Sequence, residues 1–337
     1  MHRGRFPRRP AAVRTTRLRR AGLAVAAAVA AFTTMTGTAL AYPDPGTVTG
    51  VTGVHDPSLT RTSAGRYYVF STGAGLPVTT STDRTAFSNA GTALPSGASW
   101  AAAYTGGDPA ALWAPDVSYH GGKYLLYYAA STFGSNTSAI GLAGSTSGAP
   151  GTYTDYGKVY SSSSSSDYNA IDPDLTVDAS GNWWLAFGSW WTGIKLIQID
   201  PSTGKQASWN TTRYSLASAS GGIEGSNVFY HGGYYYLFTS RGLCCRGVNS
   251  TYWIAVGRST GITGPYYDRN GTSLMSGGGT AVLASHGSYI GPGGQMVYHD
   301  TDHDLLVYHY YDANAGGASK LGINYLGFDS AGWPYAY

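Results

Sequence analysis

His55-Asp56-Pro57-Ser58-Leu59 leads through a polar turn into Arg66-Tyr67-Tyr68-Val69-Phe70, and the same grammar returns four more times along the chain. Its later openings are Trp113-Ala114-Pro115-Asp116-Val117, Ile171-Asp172-Pro173-Asp174-Leu175, Ile223-Glu224-Gly225-Ser226-Asn227-Val228 and Pro292-Gly293-Gly294-Gln295-Met296-Val297. They run on into Lys123-Tyr124-Leu125-Leu126-Tyr127-Tyr128, Trp183-Trp184-Leu185-Ala186-Phe187, Tyr234-Tyr235-Tyr236-Leu237-Phe238 and Leu305-Leu306-Val307-Tyr308. Aligned on the residue before Pro or Gly, one slot reads Asp56, Ala114, Asp172, Glu224 and Gly294, at spacings of 58, 58, 52 and 70 residues. Repeats of that length fit four-stranded blades with long loops, so the fold expected is all-β, a five-bladed β-propeller in a single domain. Radial repetition brings equivalent positions to one axis. The residue before proline is expected to be extended, as a strand entering the central channel would require.

The strands are apolar on both faces, as sheets packed between neighbouring sheets must be, and their tyrosines read as core. The segment Tyr42 to Val54 and the end from Leu321 to Tyr337 are the candidates for closing the ring. The serine run from Ser161 to Ser166 reads as a mobile surface loop between the second and third blades, and His299-Asp300-Thr301-Asp302-His303-Asp304 as a solvated hairpin loop.

Residues 1 to 41 are set apart by composition. Residues 1 to 20 hold eight arginines and no acid, residues 21 to 32 are almost wholly apolar, and Ala39-Leu40-Ala41 ends the segment with small residues. This is the pattern of a secretory signal peptide, with 42–337 as the mature propeller domain and a secreted, extracellular location. The pair Arg19-Arg20 leaves the twin-arginine route open beside the general one. The whole chain carries a formal charge of +3, but without the leader 13 basic residues face 18 acids, a net of −5. The basic character therefore belongs to the leader, which removes the case for a nucleic-acid partner. No later apolar run reaches the roughly 20 residues that a membrane span needs. A monomer is expected.

Three acids on one axis are costly unless paired or at work. Two carboxylates flanking a bond are the usual apparatus for hydrolysing a glycoside: one gives a proton to the leaving oxygen, the other takes one from water, and a third nearby raises the pKa of the acid. Asp56, Asp172 and Glu224 can supply all three parts, with the longer Glu224 suited to the acid. The two cysteines, Cys244 and Cys245, are adjacent. They are read either as reduced thiols or as a bridge between neighbours, which would make a rigid loop beside a binding surface.

These motifs, together with Leu112-Trp113-Ala114-Pro115-Asp116-Val117, Ser131-Thr132-Phe133-Gly134-Ser135-Asn136, Asn169-Ala170-Ile171-Asp172-Pro173, the run Gly188 to Leu196 and Cys244-Cys245-Arg246-Gly247, resemble glycoside hydrolase family 43 over essentially all of 42–337. Within it the chain looks like the endo-1,5-α-L-arabinanases. The resemblance implies inverting endo-hydrolysis of arabinan or arabino-oligosaccharides, with Asp56 as general base, Glu224 as general acid and Asp172 as pKa tuner and orienter. It also implies sugar contacts at Trp113, Phe133, Asn169, Ser189, Trp190 and Trp191, where flat rings and hydrogen-bonding edges suit a furanose. No cofactor is needed for the chemistry.

The chain departs from the family at Gly294, where many members carry a metal-linked histidine. A structural calcium near the axis thus becomes an open expectation with His309 as its candidate ligand, against the plainer reading of a hydrogen-bonded histidine. Exo-acting arabinofuranosidases or β-xylosidases of the same family remain the nearest alternative. A propeller that binds carbohydrate without cleaving it is the alternative from another class, and the intact acids argue against it. Retaining fructan-cleaving propellers are disfavoured because their Asn before Asp-Pro, their Arg-Asp-Pro and the Cys after their acid are all missing here.

Overall fold

The computed structural model describes residues 42–337, so the signal-peptide reading of 1 to 41 lies outside the described residues. Those residues form five sheets whose main strands follow one another in sequence. The first blade is Ser58–Arg61, Tyr67–Phe70, Pro77–Ser81 and Ala86–Thr92, with the short Thr49–Gly50 added in parallel at its outer edge. The second is Ala111–His120, Lys123–Ala130, Ala139–Ser145 and Thr154–Ser161; the third is Asp174–Val177, Trp183–Phe187 and Ile194–Asp200, edged by Lys205–Gln206 and Tyr214–Ala217. The fourth is Ile223–His231, Tyr234–Arg241, Trp253–Ser259 and Thr280–Leu283, and the fifth is Tyr289–His299, Asp304–Asp312, Ala318–Phe328 and Pro334–Ala336. This is the expected five-bladed propeller. Among the described residues the helices are short 3₁₀ turns, and none is long and apolar enough to cross a membrane.

The two-faced apolar strands are explained by the cores they fill. In Lys123–Ala130, Tyr124, Leu126 and Tyr128 pack with Phe70 and Val78 of the first blade, while Leu125 and Tyr127 pack with Leu175 and Phe187 of the third. The same alternation puts a buried cluster at the third-to-fourth and fourth-to-fifth interfaces. Leu59 and Val69 meet Leu305, Val307 and Leu321 where the fifth blade returns to the first. Both candidate closing segments take part in that junction. The Gly46 N–H donates to the Ile323 carbonyl, the Leu321 N–H to that of Thr52, and Asn324 Nδ2 to that of Asp44.

A girdle of side chains around the axis fixes the blades in register. Ser58 Oγ accepts the Val117 N–H at 2.9 Å, Asp116 Oδ2 that of Leu175 at 2.9 Å, Asp174 Oδ2 that of Val228 at 2.8 Å and Asn227 Oδ1 that of Val297 at 3.0 Å. Met296 Sδ, accepting from the Leu59 N–H, closes the circle. The girdle identifies equivalent positions without ambiguity, and two residues before each member stands a left-handed residue: Asp56 (φ 49°), Ala114 (41°), Asp172 (55°), Gly225 (58°) and Gly294 (55°).

Two expectations are corrected by this. The residues before proline are left-handed rather than extended, because in the longer inner strands the ladder shifts register at this point, a bulge that turns the chain at the axis. The fourth occupant of the slot is Gly225, not Glu224. Glu224 arrives from the preceding position, the one held by His55, Trp113 and Ile171 elsewhere, because glycine itself takes the left-handed turn that Asp or Ala takes before proline in the first three blades.

The acidic hairpin at 299–304 is more than a solvated loop. Asp300 is buried, accepts from Tyr67 Oη at 2.8 Å and pairs with Arg84 Nη1 at 2.6 Å, while Arg84 also grips Asp302 at both nitrogens. It locks the first blade to the fifth. The serine run likewise lies where expected, but Ser162 is buried and bonded to Ser138, and Asn136 Nδ2 donates to the Ser166 carbonyl at 2.8 Å.

Candidate active site

The axial ends of the inner strands open into a cleft of about 860 Å³, lined by Asp56, Asp172 and Glu224 together with Trp113, Phe133, Asn169, Ser189, Trp190 and Trp191. Every residue expected to catalyse or to touch sugar is therefore brought to one place. His309 is not on the wall. It lies fully buried behind Asp56, on the fifth-blade strand Asp304–Asp312.

The three carboxylates occupy different environments. Asp56 Oδ2 accepts from Thr72 Oγ1 at 2.7 Å and lies 2.9 Å from His55 Nδ1; Thr72 Oγ1 in turn accepts the Ala114 N–H at 2.8 Å. Burial alone would raise the pKa of Asp56, but the charge and hydrogen bond of His55, with His309 and Thr72 adding to them, hold it well below the usual carboxylate range. His55 moves the other way: burial opposes its charge, but the charge and hydrogen bond of Asp56 prevail, assisted by Glu224, and raise it.

Glu224 is pushed up, by burial first and by the Asp56 charge, against two hydrogen bonds that oppose the shift: Ser189 Oγ to Oε2 at 2.6 Å and Tyr252 Oη to Oε1 at 2.5 Å. Asp172 is raised by burial and then by the negative charges of Glu224 and Asp56, with the Gly225 N–H donating to its Oδ2 at 2.9 Å. Within this pair each carboxyl disfavours charge on the other. The Gly225 N–H at Asp172 and the two hydroxyls at Glu224 favour the ionised forms without cancelling the rise at either group.

The tryptophan wall of the cleft is held under strain. Trp190 and Trp191 both have left-handed backbones, φ 53° and 37°, uncommon for any residue with a Cβ and disfavoured by about 1–2 kcal/mol each. The Trp190 N–H is tied to the Ile223 carbonyl at 2.8 Å, so the tryptophan turn is anchored to the residue beside Glu224. Both rings stand partly exposed, and Phe133 is 84% exposed across the cleft. Buried Asn169 has an Oδ1 without a hydrogen-bond donor.

His309 Nδ1 accepts the Asp56 N–H at 3.1 Å and its ring stacks on His55 at 3.8 Å. It is thus the hydrogen-bonded histidine of the plainer reading, yet its buried Nε2 has no partner, and one ligand atom each from His55, Asp56 and His309 lies within 4.8 Å of the others. With Nδ1 accepting, the neutral ring carries its proton on Nε2, so the orphan is a donor without an acceptor and not a lone pair free for a cation; as bonded here His309 does not fit the ligand role.

Reading the sequence missed Thr72, Tyr252 and Tyr311 as contributors. Tyr311 bonds to His55 Nε2 at 3.0 Å. One signal was available: Tyr311 follows His309 by two residues in a strand, so both face the same side.

The family model of the glycosyl hydrolases family 43 matches residues 49–334. The chain is 46% identical over 288 residues to the extracellular endo-α-(1→5)-L-arabinanase 1 of Bacillus subtilis, covering 83% of this chain and 87% of that protein. Its fold superposes on the family 43 endo-arabinanase of Bacillus licheniformis with a TM-score of 0.81 at 46% identity, over 86% of this chain and 99% of that one. The α-L-arabinanase of Cellvibrio cellulosa, solved with arabinohexaose, gives 0.81 at 35% identity over 85% and 95% of the respective chains. With its propeller, its axial carboxylates and a match spanning nearly the whole of the described residues, the chain belongs to glycosyl hydrolase family 43.

Proposed function

We propose that the protein hydrolyses internal 1,5-α-L-arabinofuranosidic bonds of arabinan with inversion at the anomeric carbon. The observation that carries this reading is the separation of proton affinities within one cleft: that of Asp56 is lowered well below the usual carboxylate range, while burial and the Asp56 charge raise that of Glu224. Glu224 gives its proton to the glycosidic oxygen as the C1–O bond breaks. Asp56 takes a proton from a water whose oxygen bonds to C1 on the opposite face, and both carboxyls are reset by proton exchange with solvent. Asp172 disfavours charge on Glu224, so raising its proton affinity, and orients the sugar. Phe133, Trp113, Trp190 and Trp191 cover the apolar faces of successive arabinose units, while Asn169 and Ser189 bond their edges.

As bonded here His309 offers no lone pair to a divalent cation, which leaves the carboxylate of Asp56 as the candidate ligand in this cluster. None of the proton transfers requires a cation. We read 1–41 as a cleaved export leader and the domain 42–337 as acting extracellularly as a monomer; N-terminal sequencing and the mass of the secreted protein in solution test both.

Product analysis on linear 1,5-arabinan and short xylo-oligosaccharides, with a Glu224→Ala control, tests the activity. A ladder of arabino-oligosaccharides that vanishes in the control is the expected result. Arabinose alone would make the enzyme exo-acting, xylose would make it a xylan-active member of the family, and no product would leave a binding propeller.

A further inference from the structure

Cys244 and Cys245 are joined in a disulfide between chain neighbours and line the cleft beside Arg246. The ring closed by such a bond encloses a single peptide unit, whose N–H is that of Cys245. That N–H donates to Tyr311 Oη at 2.7 Å. Tyr311 Oη lies 3.0 Å from His55 Nε2, and His55 Nδ1 lies 2.9 Å from Asp56 Oδ2. Because the peptide N–H can only donate, the Tyr311 oxygen accepts at that end, which leaves its own proton for Nε2 of a neutral imidazole or its second lone pair for Nε2–H of a charged one; in both forms Nδ1–H serves Asp56. A chain of three hydrogen bonds thus joins the disulfide ring to the carboxylate read above as the general base.

We propose that the Cys244–Cys245 ring, acting through Tyr311 and His55, is a positioning device for Asp56; this rests on the reading of Asp56 as the base. Cys245 is left-handed, φ 65°, a conformation that an unbridged cysteine leaves readily. The ring holds it there and so fixes the direction of the N–H. The three carriers come from the loop before Trp253–Ser259, the strand Asp304–Asp312 and the first repeat, so no local sequence feature holds Asp56 in this way.

The chain contains two cysteines and no others, so a reductant reports on this bond alone. Dithiothreitol breaks the S–S bond by giving two electrons and two protons, leaving two thiols, and itself closes to a cyclic disulfide. The experiment measures kcat and KM on linear 1,5-arabinan for the parent and for Tyr311→Phe, each oxidised and reduced, with thermal unfolding as a check on folding. Reduction is expected to lower kcat of the parent about 10-fold with KM within about twofold, since small misplacements of a reacting group cost rate rather than binding. Tyr311→Phe is expected to show the same loss already when oxidised, and to lose nothing further on reduction.

The proposal is overturned if reduction leaves the parent unchanged, if it raises KM at constant kcat, which would make the ring a wall of the sugar site, or if it slows Tyr311→Phe as much as the parent. Asp56→Asn separates the two claims. Substantial activity in that variant would sink the assignment of the base, whereas its loss alongside an inert response to reductant would sink only the positioning role.

Discussion

The main-chain N–H of Gly225 donates to Asp172 Oδ2 at 2.9 Å, so the residue that follows Glu224 in the chain also bonds the neighbouring carboxylate and opposes the rise in its pKa. The left-handed turn at Gly225 makes this link and at the same time aims Glu224 into the cleft. Charge coupling between the two acids is thus built into one turn.

Removing that coupling should be visible in the pH–rate profile. The Asp172 charge disfavours ionisation of Glu224, so in Asp172→Asn the Glu224 pKa falls and the acid loses its proton at lower pH. The alkaline limb of kcat/KM should move toward acid, with kcat at the optimum falling about 100-fold. An unmoved limb would mean that Asp172 orients substrate without tuning the acid.

Tyr252→Phe should move the same limb in the opposite direction. The Tyr252 hydroxyl bonds Glu224 Oε1 and favours its ionised form, so its loss raises the Glu224 pKa and extends activity to higher pH. A hydrogen bond to a charged group contributes about 1.5–3 kcal/mol, so kcat should fall by about one to two powers of ten. A steady-state profile of the two variants side by side checks both signs. If both limbs move together, the shifts come from a general change in the cleft.

Gly294→Ala tests the crowding at the axis. A Cβ there would stand 2.5 Å from Asp56 Oδ1 and 2.8 Å from His309 Nδ1, with φ +55° already unfavourable to a side chain. Gly121 shares the left-handed backbone, φ +59°, but has open space where its Cβ would go. Both alanine variants should lose about 1–2 kcal/mol of stability from backbone strain. Only Gly294→Ala should lose activity, by about 100-fold, through the displaced carboxylate. Equal activity in the two would show that Asp56 tolerates the shift.

The repeat was legible because the second strand of each blade must be apolar on both faces, and runs such as Tyr234–Phe238 show that without any knowledge of their partners. Asp56 and Asp172 were legible through the following proline. Glu224 was found for a reason that proved off by one residue: in sequence, Glu-Gly resembles Asp-Pro, and the girdle of side chains that sets the true frame exists only between blades. Tyr252 and Tyr311 were hidden by the 28 tyrosines of the chain, most of which do fill the core. Their hydroxyls act across 28 and 256 residues, distances over which pattern carries no information.

The girdle itself contains a cost that a single substitution should relieve. Asp116 and Asp174 are both buried at the axis below the cleft; burial and then the Asp174 charge push Asp116 well above the usual carboxylate range, and Asp174 is pushed up to about 6, chiefly by burial. An acid whose folded-state pKa is raised costs nothing below the pKa of the unfolded chain, about 3.9, where both states hold the proton. Above it, folding must retain a proton that the unfolded chain gives up, and the cost grows until pH passes the folded value. Asp116→Asn keeps an oxygen for the Leu175 N–H and removes the charge. Its melting temperature should equal that of the parent near pH 4 and rise above it as pH increases, reaching about 2 °C or more at pH 8, since relief of about 1 kcal/mol moves a domain of this size by that amount. Thermal unfolding of the two proteins from pH 4 to 8 decides it. An offset independent of pH, or a less stable variant at pH 8, would show that the buried charge is compensated within the ring.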